Sequence, residues 1–169
     1  LPFFNHFLKG VGNGLEGRPS VRLEVRETRD EYAVREEWTW PLEDTRYRYA
    51  FLDARDTTLK LERPERKAAI SYDSTAGEGV RFELRFAEAT ELTGHMKLKL
   101  WVSTDAGEDM DLVVGIRKLN VDRQTVPFWG PEKDPIGVVS RGWLRVSHRE
   151  LDEARSRPYQ PVLRHEREQ

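Results

Sequence analysis

Along most of this chain the apolar side chains fall on every second position. Val21, Leu23 and Val25 alternate with Arg22, Glu24 and Arg26, the pattern of a strand with one buried and one solvated face. The alternation returns at Tyr47, Tyr49 and Phe51, at Val80, Phe82, Leu84 and Phe86, and at Met96, Leu98, Leu100 and Val102. Trp38 and Trp40 precede Pro41, and the runs 112–116 and 137–146 add two further apolar segments. Polar, Gly- or Pro-bearing turns separate these stretches, which predicts about eight strands and no long amphipathic helix. A strand that is apolar on one face needs a second layer over that face. The predicted architecture is therefore all-β, an antiparallel sandwich of two sheets with jelly-roll topology.

The two ends of the chain depart from this pattern. Residues 3–9 read as the last turns of a helix, and Gly10-Val-Gly-Asn-Gly14 breaks it and leads through Arg18-Pro19 into the first strand. From Ser147 onward there is no alternation, and Pro158 and Pro161 interrupt the backbone. That tail is expected to be an irregular excursion opening with one helical turn. The chain starts on Leu1-Pro2-Phe3-Phe4 without an initiator methionine, which is expected of a chain cut from something longer.

Composition narrows the function classes. The 169 residues are only 37% hydrophobic and 34% charged, yet they include five Trp, seven Phe and five Tyr. A thin apolar set of bulky side chains still supports a core. The net charge is −2, and the arginines near residues 22–48 alternate with acids, so no nucleic-acid partner is expected. No apolar run is long enough to cross a bilayer and no signal peptide is evident, so no membrane partner is expected. The absence of cysteine excludes disulfides and thiolate metal sites. It is compatible with export but fits the cytosol at least as well. The charged stretch from Lys60 to Lys67 reads as a solvated loop.

The search for chemistry finds no nucleophile elbow, because no Gly-x-Ser-x-Gly occurs. Ser71, Ser103, Ser140 and Ser147 lie at or in strands. The four histidines, His6, His95, His148 and His165, lack metal-ligand spacing. Ser147, His148 and Asp152 place a hydroxyl, an imidazole and a carboxylate close together. However, adjacent residues on extended chain point to opposite sides, which favours a polar loop anchor over a hydrolytic site. Asp105, Glu108, Asp109 and Asp111 form an acidic turn whose spacing is not that of an EF-hand. Asp109 and Asp111 share a strand face, so one can cap a turn while the other pairs with an arginine. The rings Trp38, Trp40, Tyr47, Tyr49, Trp101, Trp129 and Trp143 raise the idea of sugar stacking, but most keep step with other apolar residues and are expected to face the core.

Taken together, several segments resemble one family. Phe3-Phe4-Asn5-His6-Phe7-Leu8-Lys9-Gly10, Pro19 to Val25, and Trp38-Thr39-Trp40-Pro41 are similar to the junction in CocE/NonD hydrolases, the cocaine-esterase and X-prolyl dipeptidyl-peptidase group. Glu91 to Gly94, Leu98 to Ser103, Asp109 to Val113 and, most specifically, Gly142 to Asp152 agree with it. The resemblance implies that residues 1–17 are the end of the last helix of a preceding α/β-hydrolase domain plus a linker. Residues 18–169 would then be a galactose-binding-like jelly roll, with its C-terminal strands expected to be missing.

The resemblance further implies that the catalytic serine, aspartate and histidine lie in the preceding domain. No catalytic, cofactor-binding or metal-binding residue carries over to this chain, and no cofactor is expected. The expected partners are the α/β-hydrolase catalytic domain of the same protein and, through uncovered strand edges, a second copy in a homodimer. The rival reading is a stand-alone carbohydrate- or protein-binding jelly-roll module, since this fold hosts many functions.

Overall fold

The computed structural model describes residues 1–77, 79–128 and 137–164. The chain forms two compact units, one of Leu1–Glu43 with Gly94–Gln169 and one of Asp44–Thr93.

The first unit opens with helix α1, Pro2–Lys9. Proline suits its first turn, where a missing N–H leaves no bond unmade. The helix ends at Gly10, whose left-handed φ of 64° lets its N–H reach the His6 carbonyl while Val11 N–H reaches that of Asn5. Phe3, Phe4, Phe7 and Leu8 of α1 are all exposed, with the Phe3 and Phe7 rings 4.7 Å apart.

Strand β1, Val21–Arg26, pairs antiparallel with β2, Tyr32–Glu37, in a register that sets Leu23 opposite Arg35 and Val25 opposite Ala33. Along β1 the predicted alternation holds as far as Val25, with Val21, Leu23 and Val25 half-buried and Arg22 and Glu24 exposed, whereas Arg26, expected on the solvated face, is half-buried with its guanidinium over the Tyr32 ring. Thr28 Oγ1 accepts the N–H groups of Asp30 and Glu31 and so fixes the connecting turn. Lys118 ties that turn to the segment beyond it, reaching Glu27 Oε2 at 2.5 Å.

The second unit contains β3, Phe51–Asp53, paired with β4, Thr58–Lys60. At the turn, Thr57 adopts φ 55°, and Asp56 Oδ1 accepts both the N–H and the hydroxyl of Thr58. In the first unit again, β5, Asp111–Ile116, pairs with β6, Ser140–Arg145.

Six strands in three antiparallel pairs thus form among the described residues, fewer than the alternation predicts. Among the described residues, the segment 80–86 touches a ladder only where Glu83 bridges Thr58, and the segment 96–102 forms no ladder. Alternation identifies extended backbone and its two faces, whereas a ladder also needs a neighbour in matching register.

The core expectation is corrected as well. Trp38, Trp40, Tyr47, Tyr49, Trp101 and Trp143 are all exposed, and Leu42 and Phe128 are the buried apolar side chains among the described residues. Trp129 lies outside those residues. Period-two spacing says which side a ring is on, not whether anything covers that side.

The predicted single helical turn after β6 is present as a 3-10 turn, Val146–His148. The tail beyond it is more ordered than the sequence suggests. Asp152 N–H donates to Val162 O and Arg164 N–H to Glu150 O, folding residues 150–164 back on themselves around the two prolines.

Candidate functional site

The segment with the most specific resemblance, Gly142 to Asp152, comes together with Asp109 to Val113 through the β5–β6 register. Asp111 faces Arg145, Val113 faces Trp143 and Leu112 faces Leu144. Arg145 binds the Asp111 carboxylate with Nε at 2.8 Å and Nη2 at 2.7 Å, the two-pronged geometry that a guanidinium favours. Just outside the strands, Asp109 accepts three donors. Ser147 N–H and Met110 N–H reach Oδ1 at 3.0 and 2.9 Å, and the Ser147 hydroxyl reaches Oδ2 at 2.5 Å. These bonds, with the Ser147 hydroxyl first and then the backbone amides, hold the Asp109 carboxyl below its ordinary value of 3.8. Asp109, Met110, Asp111, Arg145, Ser147 and His148 line an open surface depression there.

The division of labour foreseen for the acidic turn is what forms. Asp109 caps the 3-10 turn and Asp111 pairs with the arginine. Among the described residues no group of three carboxylate, imidazole or thiol side chains converges as metal ligands, and the Asp109 and Asp111 oxygens are taken up by the donors just named.

Ser147, His148 and Asp152 are not arranged as a triad. The Ser147 proton is given to Asp109, and Asp152 Oδ1 accepts Arg155 N–H in a turn of the tail. The hydroxyl hydrogen is thus directed at Asp109 and not at the His148 imidazole, so the serine–histidine bond that a triad requires is not made. His6 faces the Val11 carbonyl and Glu16, while His165 lies outside the described residues. His95 accepts the Trp40 indole N–H at 3.3 Å and stacks on Tyr159 at 5.8 Å.

One polar centre escaped the sequence reading. In the second unit Asp53 is 1% exposed. It is held by Arg55 Nε at 2.9 Å, Arg55 Nη2 at 2.6 Å and Lys60 Nζ at 2.7 Å. Lys60 also reaches Asp56 Oδ2 at 2.8 Å. Arg55, then Lys60, drive the Asp53 carboxyl far below the usual carboxylate range. Lys60, expected to begin a solvated loop, is therefore the last residue of β4 and an anchor of its hairpin. The available signal was the turn spacing Asp53-x-Arg55-Asp56-x-Thr58-x-Lys60, which puts both cations within reach of the first aspartate once the hairpin closes.

Comparison with known proteins follows the same lines. The model of the X-Pro dipeptidyl-peptidase C-terminal non-catalytic domain matches residues 13–165. No curated protein matches the chain. Two crystal structures of a CocE/NonD family hydrolase from Staphylococcus aureus are similar to it. One has a TM-score of 0.89 at 38% identity and covers 98% of this chain and 30% of that one. The other has 0.90 at 38% identity, with 99% and 30% covered. The chain thus spans about 30% of the length of that hydrolase. Likeness at this level establishes the all-β sandwich as the fold class. By sequence and by fold, this chain belongs to the family of X-Pro dipeptidyl-peptidase C-terminal non-catalytic domains.

Proposed function

We propose that the domain serves a serine hydrolase as its non-catalytic partner, the hydrolysis of esters or X-Pro amides proceeding by acyl transfer through a serine in an α/β-hydrolase domain of the same protein. One observation carries this reading, the 38% identity across 98% of the chain to a hydrolase of whose length the match covers 30%. In this reading residues 1–17 are the end of the catalytic domain's last helix and a linker, and residues 18–169 are the jelly roll. The exposed face of α1, Phe3, Phe4, Phe7 and Leu8, then lies against the catalytic domain, and a second copy in a homodimer pairs through strand edges.

A sugar-binding role has less support. The most exposed rings lie on separate segments, Trp143 in β6, Trp101 under Lys99 outside any strand, and Tyr49 before β3.

Labelling the full-length protein with a fluorophosphonate probe tests the proposal. The adduct is expected on a serine outside these 169 residues, with turnover of ester or X-Pro anilide substrates lost in step. An adduct on Ser147 would overturn it.

A further inference from the structure

Of the three asparagines, Asn5, Asn13 and Asn120, only Asn13 is followed by glycine. Its side chain clasps the start of α1 to the linker. Nδ2 donates to the Pro2 carbonyl at 2.8 Å, and Oδ1 accepts Leu15 N–H at 3.2 Å. We propose that Asn13–Gly14 is a site of spontaneous covalent modification, conversion of the asparagine through a succinimide, and that the reaction opens this clasp.

The local geometry suits the chemistry. Gly14 holds φ 70°, and a side chain added there would meet nothing within 4 Å, so the space beside its Cα is open and no side chain of its own crowds the peptide nitrogen. Among the described residues that N–H donates to no acceptor. The Leu15 N–H already on Oδ1 is placed to stabilise the negative charge that develops on this oxygen. In the reaction the Gly14 nitrogen gives its proton to water and attacks Cγ of Asn13. A C–N bond closes the ring, and the Cγ–Nδ2 bond breaks as ammonia leaves with the proton it needs. Water then adds to either ring carbonyl and reopens the ring as an aspartyl or isoaspartyl residue.

The product cannot keep the clasp. A carboxylate oxygen replaces the Nδ2 donor opposite the Pro2 carbonyl, setting acceptor against acceptor, and the isoaspartyl form lengthens the main chain between α1 and β1. The His6 contacts to Val11 and Glu16 then remain as side-chain ties between the helix and the linker. The chemistry stands independently of what α1 docks against. If α1 meets a catalytic domain, the reaction acts on that contact.

The test is peptide mapping of the native full-length protein aged in mildly alkaline buffer. Trypsin releases Asn13 and Asn120 on separate peptides, because cleavage follows Lys9 and Lys118. The mass gain of an amide-to-acid change, together with methyl acceptance by an isoaspartyl methyltransferase, is expected at Asn13 on the order of tenfold faster than at Asn5 or Asn120. Equal rates at all three sites would overturn the proposal. So would an Asn13 that converts in denaturant but not in the native protein. The clasp is tested separately with Asn13→Asp, which should speed native cleavage after Lys9 by about threefold or more. An unchanged rate refutes the unclasping.

Discussion

The β3–β4 and β5–β6 hairpins are both anchored by aspartate, but over very different spans of chain. Asp53 takes Lys60 from seven residues away, within one tight turn, whereas Asp109 takes Ser147 from 38 residues away. Their surroundings differ too. Asp53 is 1% exposed, while the Asp109 and Asp111 side chains are 27% and 59% exposed. Charge pairs in water contribute little because both partners are well solvated apart, whereas a carboxylate withdrawn from water depends on its partners. The short-range anchor is therefore the stronger one, and the long-range anchor works mainly by fixing where one strand end meets another.

Acid challenges both hairpins at once and should have the largest effect. Asp53, Asp56, Asp109 and Asp111 all hold folded-state pKa values below the ordinary 3.8. In that window the unfolded chain takes up protons that the native state refuses, so stability increases with pH. The contribution should be complete above about pH 5 and lost progressively as pH falls below about 4, the Asp53 share last of all, as followed by thermal melts.

Next in size is Arg55→Ala, which leaves the buried Asp53 carboxylate with Lys60 alone. Tm should fall on the order of 5–10 °C and the acid transition should move to higher pH. An unchanged Tm would mean that Asp53 reaches water.

Asp109→Ala removes three accepted hydrogen bonds and is expected to lower Tm by about 4 °C. Ser147→Ala keeps the backbone bond and should lower it by about 2 °C. If the two losses were equal, the hydroxyl alone would be the clasp. Smallest of all, a double-mutant cycle of Asp111→Ala and Arg145→Ala should show a coupling within about 1 °C despite the two-pronged geometry, since both side chains are more than half exposed.

These anchors also show how far sequence reasoning reaches. That one of Asp109 and Asp111 would cap a turn while the other paired with an arginine was legible, because both roles follow from residue type and strand spacing, although which residue takes which role was not. That the capped turn is the one at Ser147, and the arginine Arg145, was not, because both partners lie more than 30 residues later in the chain. The Trp40–His95–Tyr159 cluster was invisible for the same reason, its rings coming from three distant segments. Asp53 failed differently. Its partners are close in sequence, but charge alternation hides a buried acid among solvated ones until the hairpin closes.

What the sequence determined by itself is local and periodic. It set the two faces of β1, the break after α1 at Gly10, and the motifs that place the chain in its family. Each of these depends on residues within a turn or a strand length of one another, where stereochemistry and solvent preference act without a partner. Tertiary structure decided which extended segments find a ladder, which rings stay exposed and which carboxylate leaves water. Each of those outcomes requires a second segment brought in from elsewhere in the chain, and no local pattern specifies what that segment will be.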